Sequence, residues 1–178
     1  MQTVITLRPY VFTKLQVASV MKGQIAGMLM CLLALPLWAS NPVWLEGKTD
    51  DRHEITVYRS ASCGCCKGWI QHLEAHDFVV KDVAVDDVNK FKQQFNVPAQ
   101  AASCHTAMVD GVVIEGHVPA QDIKRLLTDK QDVRLLTVPA MPSGSPGMDF
   151  DGALNDTFRV YAISRDDRVD VFQTYSDY

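Results

Sequence analysis

The sequence predicts an α/β domain in the order βαβαββα, followed by a loop rich in Pro, Gly and Met and an extra β-hairpin. Three observations carry this prediction. Runs of β-branched residues alternate with segments whose apolar residues recur at helical spacing. Asp110-Gly111 separates two apolar runs, and that pair favours a two-residue hairpin turn, in which both positions need positive φ. Three cysteines, Cys63, Cys65 and Cys66, stand between the first such strand and the first such helix.

Taken in order, residues 41–53 read as a polar lead-in. Glu54 to Ser60 alternates as a strand through Ile55 and Val57, and Cys66 to Asp77 carries Trp69, Ile70 and Leu73 at helical spacing. Phe78 to Val85 is a second β-branched run. Asp87 caps a short helix through Phe95, which Val97-Pro98 ends. His105 to Val109 and Val112 to His117 form the hairpin strands. Pro119 opens the last helix, Ala120 to about Asp129, with Ile123, Leu126 and Leu127 on its buried face. Val138 to Gly152 is the Pro/Gly/Met loop, and Phe158 to Ile163 with Val169 to Phe172 is the extra hairpin, turning through Arg165-Asp166-Asp167. There is no internal repeat and no long low-complexity segment. The order βαβαββα is thioredoxin-like, and it sets the cysteine motif at the carboxyl edge of the sheet.

The first 39 residues stand apart. They hold Arg8, Lys14 and Lys22 and no acid, and Ile25 to Trp38 is an apolar run of signal-peptide length, short for a membrane span. The expected organisation is a signal peptide over 1–39, a thioredoxin-like domain over 40–137, and a C-terminal loop and hairpin over 138–178 packed on that domain. Export to the periplasm with no retained membrane span follows; a retained N-terminal anchor is the alternative. Met21-Lys22 would itself make a good start, so Met1 and Met21 both stand as candidate starts. Without the leader, 14 basic residues face 21 acidic ones, a net charge of −7. An acidic domain with no basic stripe argues against nucleic-acid binding.

Four cysteines remain after the leader and its Cys31: Cys63, Cys65, Cys66 and Cys104. Three of them crowd one turn, so they cannot staple distant segments as a disulfide framework would. At a helix N-terminus the dipole and the free backbone N–H groups favour thiolate. Thiolate is both the nucleophile of disulfide exchange and a ligand for soft metals.

Cys63-Gly64-Cys65-Cys66-Lys67 looks like the CGPCK word of thioredoxins with cysteine in place of proline. Ser103-Cys104-His105-Thr106 falls, by order of elements, where thioredoxins carry a cis-proline beside their dithiol. Together with Ala102-Ser103-Cys104-His105-Thr106, Ile114-Glu115-Gly116-His117-Val118-Pro119 and Gly144-Ser145-Pro146-Gly147-Met148, the stretch from Glu54 to Asp149 resembles the periplasmic CopG family found with bacterial copper-resistance systems. The resemblance implies a thioredoxin-like fold whose cysteines hold copper, with a multinuclear thiolate cluster as one form of the site; a copper-transfer partner protein in the periplasm is a further expectation. It does not extend to the last 25 or so residues.

The chemistry of the donors points the same way. Soft thiolates select Cu(I) and zinc, and Cu(I) accepts two or three sulfurs. The adjacent Cys65 and Cys66 make a single tetrahedral zinc shell awkward and suit bridging sulfurs. The candidate ligands are therefore Cys63, Cys65, Cys66 and Cys104, with His105 and His117. Neighbours on a strand face opposite sides, so Cys104 and His105 share a site only if the backbone there is irregular. His72 and His76 read as a solvated helix face: His72 lies about 9 Å along the axis from Cys66 at ~1.5 Å per residue. His53 reads as surface and Met108 as core. Met141 and Met148, in the Pro/Gly loop, are either thioether ligands or an apolar latch. Three functions fit these residues: a Cu(I)-binding protein of copper homeostasis that sequesters or passes copper, with or without a change in its oxidation state; a thiol–disulfide oxidoreductase using Cys63 and Cys66; and a module with a passive zinc or disulfide staple.

Overall fold

The computed structural model describes residues 41–129 and 132–178. Residues 1–39, expected to be a signal peptide, with Cys31 and both candidate starts, lie outside the described residues. After a short 3-10 turn at Pro42–Leu45 come β1 (Glu54–Arg59), α1 (Gly64–Ala75), β2 (Val79–Ala84), α2 (Asn89–Gln94) and a 3-10 turn at Ala99–Ala101. Then follow β3 (Thr106–Val109), β4 (Val112–Glu115), α3 (Ala120–Asp129), β5 (Val133–Thr137), β6 (Phe158–Ser164) and β7 (Val169–Tyr175). The fold is mixed α/β, with the described strands in one seven-stranded sheet ordered β2-β1-β3-β4-β5-β6-β7.

β1 and β2 are parallel, as are β4 and β5; each pair is joined through a helix, α1 or α3. The other neighbours are antiparallel. The Asp110-Gly111 turn is as expected: both residues have positive φ, 46° and 81°, and Val109 pairs with Val112. β5 was not expected from the sequence. Its five residues, Val133-Arg134-Leu135-Leu136-Thr137, are a short apolar run interrupted by arginine, without clean alternation. It joins the hairpin of β6 and β7 to the main sheet.

β4 is buried along its whole length, because both faces of the sheet are covered. Ile114 and Leu136 face the larger core, with Trp69 and Leu73 of α1 and Ile123 and Leu126 of α3. Val113 and Leu135 face a smaller core with Ala101, Ile163, Phe95 and Met108. The side-chain period of two assigns alternate residues of one strand to the two cores.

Two expectations fail here. The lead-in is not simply polar: Trp44 is fully buried among Phe158, Tyr175 and Tyr178, and its Nε1 donates to the Gly144 carbonyl at 3.1 Å. His72 and His76 are not a solvated face. His72 Nε2 accepts from the Ala120 N–H at 2.9 Å, and His76 Nε2 bonds the Trp44 carbonyl. The Trp44 segment and the start of α3 cover that side of α1, so both rings are buried. Burial, reinforced by His76, holds the pKa of His72 down to about 3.

Candidate metal centre

β1 runs into Ser60–Ser62 and delivers Cys63 to the N-cap of α1, in extended backbone. Cys65 and Cys66 follow in the first turn. The helix starts two residues earlier than its apolar spacing indicated, because Gly64 and Cys65 carry no periodic signal. The structure joins Cys63 to Cys66 by a disulfide, and Cys65 and Cys104 are free. Cys65 Sγ lies 3.5 Å from Cys63 Sγ and 3.9 Å from Cys104 Sγ, and Cys66 Sγ lies 3.6 Å from Cys104 Sγ. All four sulfurs fall within 4.8 Å of one another.

The second group shares Cys104. His105 Nδ1 and His117 Nε2 each lie 3.2 Å from Cys104 Sγ, and the three atoms fit within 4.8 Å. Cys104 and His105 reach the same place because the chain bends at Cys104 and the strand begins only at Thr106. β4 likewise ends at Glu115, so His117 sits beyond the ladder, where it can turn toward the sulfur. The irregular backbone required for both side chains to converge is present, without a cis peptide.

The histidines are prepared as neutral donors. His117 Nδ1–H donates to the Pro146 carbonyl at 2.8 Å, which leaves the Nε2 lone pair facing Cys104. Burial lowers the pKa of His117, and burial with the neighbouring His117 ring lowers that of His105 well below the usual range. The His105 ring packs on Trp69, with centroids 4.3 Å apart, and Trp69 is anchored by donation to the Val118 carbonyl at 2.8 Å. Burial, followed by Cys65, pushes the Cys104 thiol up to about 12. A metal cation reverses that preference, since a coordinating thiol gives up its proton outright.

The Pro/Gly/Met loop reaches the centre through its backbone. Besides Pro146, Gly147 lies against the first turn of α1: a Cβ there would meet Trp69 N at 2.5 Å and the Cys65 carbonyl at 2.6 Å, and its φ is +81°. Met148 is half-buried and Met141 exposed. His53 is half-buried, 2.9 Å from an Asp110 carboxylate oxygen. Sequence reasoning did not find the wall formed by Trp69 or the Pro146 carbonyl. Trp69 read only as helix core, and a backbone acceptor leaves no side-chain signal.

The donor set fits a soft metal. The disulfide occupies two of the four sulfurs, so a four-thiolate site requires its reduction; Cys65, Cys104 and the imidazoles are available in either state.

The family described as "Protein of unknown function, DUF411" matches residues 101–148, which hold Cys104, His105, His117 and the Pro146 loop. Two solved structures are similar to this chain. "Copper resistance protein copG- Form 2" is 41% identical with a TM-score of 0.67, over 71% of this chain and 100% of that one. "Copper resistance protein copG- Form 1" is 43% identical with a TM-score of 0.64, over 68% of this chain and 96% of that one. No curated protein matches the chain. Among the described residues no helix is long and apolar enough to cross a membrane.

Proposed function

Since the chain belongs to the CopG family of copper resistance proteins, we propose that it is a periplasmic Cu(I)-binding protein of copper homeostasis. The observation that carries the reading is the convergence of four cysteine sulfurs and two imidazole nitrogens around one shared atom, Cys104 Sγ. Cys63, Cys65, Cys66 and Cys104 supply thiolates, and His105 and His117 supply neutral nitrogen. Six donors exceed what one two- or three-coordinate Cu(I) needs, so the centre takes more than one ion through bridging sulfurs.

In this reading the core is a thioredoxin-like scaffold over 40–137, the segment 138–178 packs on it, and residues 1–39 are the signal peptide. Copper is cargo, handed to a partner protein in the periplasm. An external dithiol reduces the Cys63–Cys66 disulfide through a mixed disulfide, supplying two electrons and two protons and ending as a disulfide itself, which frees both sulfurs for metal. His117, fixed by Pro146, holds its lone pair toward the centre in both states.

The disulfide itself favours a second reading, a thiol–disulfide oxidoreductase working through Cys63 and Cys66 at the N-terminus of α1. Anaerobic titration of the reduced and oxidised chain against a chromogenic Cu(I) chelator separates the two. Copper binding above one ion per reduced chain, with fewer ions in the oxidised chain, supports the first. Catalysed reduction of a test disulfide by copper-free protein, with no competition for Cu(I), supports the second.

A further inference from the structure

Beside the donor set lies a fully buried carboxylate. Glu115, the last residue of β4, has no exposure, and its two oxygens collect three donors. Oε1 accepts from the Ser103 backbone N–H at 2.6 Å and from Lys92 Nζ at 2.5 Å, and Oε2 accepts from Thr106 Oγ1 at 2.7 Å. Lys92, nearly buried on α2, also donates to Thr106 Oγ1 at 3.0 Å. A buried ion pair is weak evidence for stability, because desolvation offsets its attraction and apolar replacements do as well or better. Its placement gives it another use. Ser103 and Thr106 bracket the dipeptide Cys104-His105, so one carboxylate grips the chain on both sides of the bend.

We propose that Glu115, held by Lys92, is a positioning residue that fixes the Cys104-His105 bend and so aims both side chains at the centre. In a regular strand the two would face opposite sides of the sheet. The carboxylate takes up the Ser103 N–H, which lies outside the ladder, and the hydroxyl of Thr106, its cross-strand partner at the first rung of β3. The surroundings leave the bend little room: a Cβ on Gly116, whose φ is +72°, would meet Ser103 Cβ at 2.5 Å. Ser103 Oγ bonds the Ala140 carbonyl on the other side. The copper consequence rests on the proposed function; the placement of the Cys104 thiol does not.

The test is pulsed alkylation of the reduced, metal-free full chain, with each cysteine read by peptide mass spectrometry, beside Cu(I) competition. Lys92→Met/Glu115→Leu removes both charges and both accepting oxygens, leaving no unpaired ion in the core. Its melting temperature stays near wild type, while Cys104 alkylates about tenfold faster or more, as expected of a locally loosened segment. The peptide carrying Cys63, Cys65 and Cys66 keeps its rate, and Cu(I) affinity falls about 10–100-fold, the scale of a lost supporting contact to a metal ligand. Thr106→Val, which removes one jaw of the grip and keeps both charges, also accelerates Cys104 and serves if the double variant fails to fold. A folded variant whose Cys104 reacts at the wild-type rate, or whose cysteines all accelerate together, overturns the proposal. A wild-type chain that binds no Cu(I) overturns the proposed function, while the alkylation rates still decide the role of Glu115.

Discussion

Replacing Cys104 by alanine removes the one sulfur common to both donor groups. Cys104 Sγ lies 3.6 Å from Cys66 Sγ, 3.9 Å from Cys65 Sγ and 3.2 Å from each facing imidazole nitrogen. Without it the remaining sulfurs all stand on the start of α1, and the histidines lose their bridge to them. Metal that binds only the folded chain adds about 2.7 kcal/mol of stability at a hundredfold excess over Kd, and about 4.1 at a thousandfold. A loss of about 100-fold in affinity therefore removes about 2.7 kcal/mol of the copper-induced gain. In a domain of this size that is roughly 5–11 °C of melting temperature. The metal-free fold changes far less, because Cys104 is half-buried and its removal costs on the order of 1 kcal/mol of lost burial. Anaerobic melting curves of wild type and Cys104→Ala, with and without buffered Cu(I), measure both quantities. An equal copper-induced shift in the two proteins would place Cys104 outside the site and refute the reasoning.

Two further outcomes are expected. Cys65→Pro restores a CGPC word at a first-turn position that tolerates proline; copper stoichiometry should fall and disulfide-reductase activity should rise, and unchanged copper loading would make Cys65 a spectator. Acid should destabilise the metal-free fold, since His72, His76, His105 and His117 all have pKa values lowered from the 6.5 of a free imidazole, chiefly by burial. Their contribution is fully present above pH 6.5 and is lost as pH falls toward the folded values, about 3 for His72, because the unfolded chain binds the extra protons. The slope is about 1.4 kcal/mol per pH unit for each histidine still neutral in the fold. His72→Gln, whose amide oxygen can accept from Ala120 N–H, should flatten the dependence of the urea midpoint between pH 6.5 and 5; an unchanged slope would contradict the assignment.

The parts of this protein written in local chemistry were legible in its sequence. Asp110-Gly111 announces its turn, and the cysteine word sits where a strand meets a helix. The order of elements brings Cys104 to the same edge from 38 residues beyond Cys66. Non-local burial was less legible. Trp44 is one aromatic residue in a polar stretch, and only the β6–β7 hairpin, more than 100 residues away, makes it core. His72 and His76 flank the stripe of Trp69, Ile70 and Leu73, so the helix period alone leaves them at its margin; the Trp44 segment and α3 decide that they are buried. β5 escaped notice because a five-residue apolar run after a helix reads equally as that helix's continuation. At the centre, the ligand types were visible, whereas the Pro146 carbonyl and the Glu115 grip depend on contacts that no spacing encodes.

Copper K-edge X-ray absorption of the anaerobically loaded, reduced chain tests the central claim most directly. The account predicts a Cu(I) edge with a sulfur-dominated first shell and a minor imidazole contribution that diminishes in His117→Ala. A shell of nitrogen and oxygen alone, or a chain that retains no copper, would contradict it.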